Sequence, residues 1–483
     1  MTHAVHSDVG LLSMAAKSPG VVIGAGLAAM VFGLTLPASP WDAVAVLVLL
    51  PLGMLMPTGA LVAILAITVL VPWDVQSYFQ ILGGHGHRGV LFVDALLLLA
   101  LLRTGWSVVR RRTAFDLPMV LGTTVAAILA AATVWGVAQG AGLSAAGNEG
   151  RRALFGACTF LLAWPLLREP ESRRVITRWL VVIGLALGIW GFSQWFFDVG
   201  YSTAGDVGVR GGLSSGQLQG GMYAYPVVVA LAWSALIAGV PKTSAHRALL
   251  VTVLALNTIC VFLTFERTLI VSTALACGFV VANAGVQARR NAKRWIPAIG
   301  VSLFVGTVLA AEQARTALEK ITLLNDVHSD NSYSHRMIEA DVVQEQILAR
   351  PLFGSGFGAT VTWGDRDFAV NTTSFADLGY HWLAWKIGLP GAILIAVILL
   401  AAVIRRARGE QSDPWRAIQI GSRGGLLALV VTSLLFGVFN ALGITAVIGL
   451  LVAISYSGTA ADDTRIALAD SPDLLSTTME VTR

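Results

Sequence analysis

Apolar runs recur along the chain from residue 21 to residue 455, and they restrict what it can fold into more than any other feature. Backbone inside lipid has no water to bond to, so only helices and closed barrels cross a bilayer. The longer runs exceed the roughly 9–11 residues of a barrel strand and approach the roughly 20 that a spanning helix needs. Composition agrees with this. Hydrophobic residues make up 55% of the chain, charged residues only 13%, and the mean hydropathy is +0.73. A soluble domain carries about a quarter charged residues. The chain reads as an all-α polytopic membrane protein.

Apolar windows fall near 21–36, 43–55, 58–71, 89–102, 117–137, 152–167, 179–197, 223–240, 248–264, 268–284, 296–311, 382–404, 424–438 and 441–455. Some are short, and two pairs read as half-helices: one split by Pro51 and Pro57, one around Asn440. The expectation is therefore about 12–14 transmembrane helices. The first twenty residues lack the basic-then-apolar pattern of a removable signal. Cys158, Cys260 and Cys277 all fall within apolar runs and read as small core residues.

The net charge is +5, and no nucleic-acid motif accompanies it. Its distribution explains it. Segments 103–112, 168–178, 241–247, 286–294 and 405–423 are rich in Lys and Arg and alternate with poorer ones. The rich set is expected on the cytoplasmic side, with both termini beside it. The other face then receives 72–88, 198–222 and 312–381. The expected organisation is an N-terminal membrane bundle over 1–311, a large extracytoplasmic loop over 312–381, C-terminal membrane helices over 382–455, and a disordered cytoplasmic tail over 456–483. Within the large loop, Met337, Ile338, Val342, Val343, Ile347 and Leu348 recur at helical spacing, which predicts an amphipathic helix lying over the spans.

Arginines on the expected outer face run against the charge bias, so they carry information. Arg210 lies in VRGGLSSGQ, Arg267 in TFERTLIVST, Arg336 in NSYSHRMIEA, and Arg151 with Arg152 heads a span. For the last two, anchoring to headgroups or pairing with nearby acids accounts for them. Arg267, beside Glu266 at a membrane boundary, admits a structural and a functional reading equally. A planar guanidinium fork suits phosphate oxygens, and several convergent arginines suit a diphosphate. Phosphate-loop, dinucleotide and zinc-protease patterns are absent from the sequence. The GHGH at 84–87 has no evident third ligand and reads as a solvated loop. No metal or other cofactor is expected.

The stretch SHRMIEADVVQEQILARPLFGSGFGA, Ser334 to Ala359, resembles the signature of the O-antigen ligase and O-antigen polymerase superfamily. There an arginine opens an amphipathic helix that ends in a glycine-rich turn. Arg336 occupies the arginine position, and Pro351, Leu352, Phe353, Gly354, Gly356 and Gly358 match the turn. Tyr380, Gly388, Leu389 and Gly391 match a downstream frame; ERTLIVSTAL, with Arg267, and RGGLSSGQLQGGMYAYP are similar to upstream pieces. The resemblance covers most of 150–455.

It implies a GT-C-like membrane enzyme that moves a glycan from a polyprenyl diphosphate carrier to an acceptor hydroxyl, with inversion, on the outer face of a bacterial inner membrane. The implied partners are that donor, a glycan or lipid acceptor, membrane lipids, and a chain-length regulator or flippase. Arg267, Arg336 and Arg210 then hold the diphosphate. The family's histidine is missing: Asp377 stands in its place, Leu378 replaces the following asparagine, and the nearest histidine is His381. Three readings stay open. Asp377 is the base; or His381 is, oriented by Asp377 if 377–381 is helical; or neither acts. His381 also suits an interfacial role among Trp382 and Trp385. Lys386, Glu266, His335 and Tyr380 are candidates for acceptor contact or support. The absent histidine tips the reading from ligase towards polymerase. The rival class is a transporter or flippase of lipid-linked oligosaccharides, for which the sequence offers Asp94 and the Glu266–Arg267 pair as membrane ionisable groups.

Overall fold

In a computed structural model of the chain, the described residues are 55–71, 80–82, 90–110, 116–197, 221–264, 266–309, 331–364, 370–407 and 413–458. The expected spans at 21–36 and 43–55, Arg210, the GHGH segment and the tail beyond 458 lie outside them. The helices in chain order are α1 (Pro57–Leu70), α2 (Phe92–Arg110), α3 (Leu117–Ala138), α4 (Leu143–Leu166), α5 (Pro170–Phe197), α6 (Tyr225–Ile237), α7 (Ser244–Leu263), α8 (Arg267–Asn283), α9 (Val286–Leu309), α10 (Asn331–Ala349), α11 (Gly379–Ile404), α12 (Pro414–Thr432) and α13 (Leu442–Tyr456). Two short antiparallel hairpins join them, β1 (Gln80–Leu82) with β2 (Val90–Leu91), and β3 (Val361–Gly364) with β4 (Val370–Thr373).

The molecule is a membrane-embedded helical protein. α2, α3, α5, α7 and α11 are long and apolar enough to cross a bilayer, and α1, α6, α8 and α13 are shorter apolar helices. Many large apolar side chains face outward, among them Leu102 and Trp106 on α2 and Ile393, Val397 and Ile404 on α11. In water such a surface would aggregate; in a bilayer it is the surface lipid requires. Every apolar window from residue 58 onward overlaps a helix among the described residues, but several helices extend beyond their windows and α12 stops at Thr432, short of its window's end. α4 begins at Leu143, so Arg151 and Arg152 sit two turns inside a helix instead of heading it.

Contacts between helix ends sort the bundle into two ends. At one, Arg173 lies over the Trp415 ring at 5.2 Å, Arg405 over Tyr456 at 4.8 Å, and Arg168 pairs with Asp116. The connections there are the basic ones. Three helices that start at this end carry side-chain caps: Asp116 accepts from Met119 N at 3.3 Å, Thr243 from His246 N at 3.2 Å, and Asp413 from Trp415 N at 2.9 Å. At the opposite end Arg151 meets Asp94, Arg152 meets Asn440, and Arg336 meets Asp377. The polar clusters that follow all belong to this second end.

α11 is two helices joined at a break. Gly388 has φ 79° and ψ 164°, and Pro390 follows it. A break inside a membrane helix strands carbonyl and N–H groups. The turn at 350–358 supplies their partners: Ser355 N donates to Trp385 O at 2.7 Å, Gly356 N to Lys386 O at 3.0 Å, and Leu389 N to Pro351 O at 2.8 Å. Phe357 N donates to Ala132 O of α3 at 3.1 Å, and the Trp135 indole donates to Gly354 O at 3.2 Å. Gly356 has φ 78°, and a Cβ there would stand 2.3 Å from the Gly136 Cα, so only glycine fits. The PLFGSGFG turn and the Gly388 frame, far apart in sequence, thus form one joint in space.

Candidate functional site

α10 presents Arg336 and, three residues later, Glu339 on the side that meets α11. Glu339 is buried and accepts the Asp377 backbone N–H at 3.0 Å. This bond fixes the chain just before α11, whose N-cap is Leu378. Asp377 then turns its carboxylate onto Arg336, whose Nε donates to Oδ2 at 3.1 Å. The pair is partly open, with side-chain exposures of 22% and 35%. The guanidinium rests 4.7 Å from the Phe436 ring centre, and Phe436 in turn packs on Tyr223 at 5.9 Å. A cation held over a ring face keeps its planar fork ordered.

Tyr223 lies within electrostatic reach of Glu266, Asp377 and Arg336, so those three charges share one neighbourhood. Glu266 immediately precedes α8, and Arg267 is its first residue; both are half-buried. Tyr380 stacks edge-on against Phe439 at 5.5 Å and shares a hydrogen bond with Ser433, three residues before Phe436. The structure thus gathers Arg336, Asp377, Glu266, Arg267 and Tyr380 at one end of the bundle. His335 precedes Arg336 on α10.

Two expectations change here. Asp377 lies outside α11, so it does not share a helix face with the half-buried His381; Arg336 and Glu339 engage it instead. Lys386 does not join the Arg336 site as a support for the acceptor. It is fully buried, 3.1 Å from Glu149 Oε1, with Nζ donating to Ala359 O at 2.6 Å and standing 3.6 Å from the Trp385 ring centre. Glu149 is also buried and accepts from the Trp382 indole at 2.8 Å and from Gly358 N.

Glu149, Glu339, Tyr223 and Phe436 are absent from the sequence-derived candidates. Glu149 in NEGRR precedes an apolar window by three residues, and an acidic group so placed is a signal that could have found it. Glu339 sits at i+3 from Arg336, a spacing that puts two helical residues on one face. Nothing local in the sequence marks Tyr223 or Phe436. Asp94, noted for its membrane position, pairs with Arg151 at 3.1 Å and accepts from Leu91 N at 2.8 Å, while Arg151 also donates to Asn148.

No protein-family model matches the chain, and no curated protein matches it. The functional reading rests on the residues themselves.

Proposed function

We propose that the chain is an extracytoplasmic glycosyltransferase that moves a glycan from a polyprenyl diphosphate carrier to an acceptor hydroxyl. The observation that carries this reading is the partly open Arg336–Asp377 pair, 3.1 Å apart, beside Glu266 and Arg267 at the bundle end opposite the basic connections. By the charge bias, that end faces away from the cytoplasm. Arg336 and Arg267 are suited to the diphosphate oxygens, with Arg210 as a further ligand.

In the reaction the acceptor oxygen forms its bond to the anomeric carbon as the bond from that carbon to the diphosphate oxygen breaks. The diphosphate departs with the electron pair, and fixed arginines stabilise the growing charge. The acceptor proton passes to a carboxylate, for which Asp377 is better placed than His381. A diphosphate that takes over Arg336 frees Asp377 to accept that proton, so the ion pair of the resting protein is exchanged for two catalytic contacts. Attack from the face opposite the leaving group inverts the anomeric centre. The positive ends of α8, α11 and α13 add to the field at the same bundle end.

The decisive test is reconstitution of the purified full chain with a polyprenyl diphosphate oligosaccharide. The expected result is glycan extension or transfer that Arg336→Ala and Arg267→Ala each abolish while both variants remain folded. Full activity in both variants overturns the site.

A flippase of the same lipid-linked glycans is the second reading, favoured by the Glu149–Lys386 pair buried among the helices. Movement of an intact donor across vesicles without any glycan transfer would select it.

A further inference from the structure

α12 meets the last turn of α13 at the bundle end of the basic connections. Arg416, Gln419 and Arg423 recur on α12 at i, i+3 and i+7, which puts them on one face of the helix. Gln419 Nε2 donates to Ser457 O, and Arg423 Nη2 reaches Ser455 O at 3.4 Å. That face is therefore turned to the end of α13, which stops at Tyr456.

Two positive charges gather there. Arg423 is 3% exposed, Arg416 is partly covered, and Arg405 and Arg416 both lie within electrostatic reach of Arg423. Among the described residues, no carboxylate comes within ion-pair distance of Arg416 or Arg423. Asp413, the acid nearest to Arg416 in sequence, is occupied in capping α12 through Trp415 N. The carbonyl end of α13 supplies about half a negative charge. Half a charge does not balance two, and Gln419 already donates to that end.

Unmet hydrogen bonds lie in the same place. Arg416 Nε, Arg423 Nε and Ser455 Oγ are buried without a hydrogen-bond partner among the described residues. Ser457, two residues on, turns its hydroxyl back onto Ile454 O at 2.8 Å, as serines in helices often do. Ser455, 1% exposed, does not. A buried donor without a partner carries the full cost of its lost water. One tetrahedral oxyanion removes all three deficits: it brings countercharge, accepts N–H bonds from both guanidinium groups, and accepts the Ser455 hydroxyl. A carboxylate, with two oxygens in one plane, matches a single fork.

We propose that Arg416, Arg423 and Ser455 bind a phosphate-bearing anion, either the headgroup of an anionic lipid or inorganic phosphate from solution. The site stands at the opposite end of the bundle from Arg336 and does not depend on the glycosyltransferase reading. The anion ties α12 to the end of α13. At its other end α12 leads into Ser433 and Phe436, which hold Tyr380 and Arg336, so the anion steadies the helix behind that site.

The test is the thermal unfolding midpoint of the full-length protein in uncharged maltoside micelles, with two additions made separately. One is dioleoylphosphatidylglycerol, compared with the same amount of dioleoylphosphatidylcholine. The other is sodium phosphate, compared with sodium chloride at equal ionic strength. A ligand that binds only the folded state raises the midpoint. A rise is expected with phosphatidylglycerol, with phosphate or with both, and the arm that responds names the source. Arg423→Gln and Arg416→Gln should each require about tenfold more anion for the same rise. Because Arg416 is only partly covered, its variant keeps the test open should Arg423→Gln fail to fold. Arg336→Ala should show the wild-type rise, which separates this site from diphosphate binding at the far end. No rise in either arm overturns the proposal. So does a rise that a folded glutamine variant keeps in full, or one that Arg336→Ala loses.

Discussion

Asp377 and His381 lie four residues apart, yet the fold gives them different surroundings. Asp377 is anchored through its backbone by Glu339 and through its carboxylate by Arg336, while His381 lies half-buried in the first turn of α11. Removing a positioned general base typically costs 10²–10⁴-fold in rate. Asp377→Asn is expected to lower the transfer rate by about that factor, with His381→Ala within about tenfold of wild type. Single-turnover measurements on both variants check this, and the reverse ranking would hand the base role to His381. Arg336→Lys keeps the charge and loses the planar fork that reaches two phosphate oxygens at once. It should therefore behave like Arg336→Ala in transfer assays and not like wild type; near-normal transfer would show that a point charge suffices. The sequence made Arg336 and Arg267 visible because arginines on the expected outer face run against the charge bias, and Asp377 visible because it stands where the resembled family has its histidine. It hid Tyr223 and Phe436 because an aromatic residue near a membrane helix is ordinary, and only packing reveals that these two support a guanidinium.

The break in α11 shows why a motif can look functional and act structurally. PLFGSGFG reads from the sequence as a signature at the end of an amphipathic helix. In the fold its N–H groups satisfy the carbonyls that Gly388 strands, and its glycines let the turn press against Gly136 and Gly388. Gly356→Ala is expected to abolish recovery of folded protein in detergent, because its new Cβ would overlap α3 backbone while φ 78° strains any L side chain. The neighbouring Glu149–Lys386 pair belongs to the same joint. Breaking a buried pair by removing one partner leaves an uncompensated charge and costs about 3–5 kcal/mol. Lys386→Met should lose that much in reversible unfolding in micelles, and the Glu149→Gln/Lys386→Met double variant should regain most of it. A double variant as unstable as the single would mean that packing, not charge, sets the cost. Sequence reading made Lys386 a candidate for support of the site because it stands about one turn beyond His381. The helix breaks and the turn from α10 folds over it, a long-range event that local spacing does not encode.

The arrangement of the whole bundle was the most legible level. Apolar runs marked the helices from residue 58 onward because a bilayer demands a self-satisfied backbone whatever the fold. The alternation of basic connections sorted their ends, and the contacts of Arg173, Arg405 and Arg168 with neighbouring helix ends gather those connections at one end of the bundle. Span boundaries were less legible, since α4 and α9 begin with polar turns that hydropathy counts as loop. Which end is expected to face the cytoplasm rests on one physical bias, the retention of Lys and Arg on that side. Single cysteines at Thr243 and Arg289, on or beside basic connections, are therefore expected to react with a membrane-impermeant maleimide only after permeabilisation. Cysteines at Ala141, in the α3–α4 turn, and at Thr362, on the exposed face of β3, should react in intact spheroplasts. The three native cysteines are free, and each lies within a helix at least partly buried, so they give a low background. Labelling of Thr243 or Arg289 positions in sealed cells would invert the bundle. It would also place Arg336 and Asp377 on the cytoplasmic side, where a reaction on an already translocated glycan has no substrate.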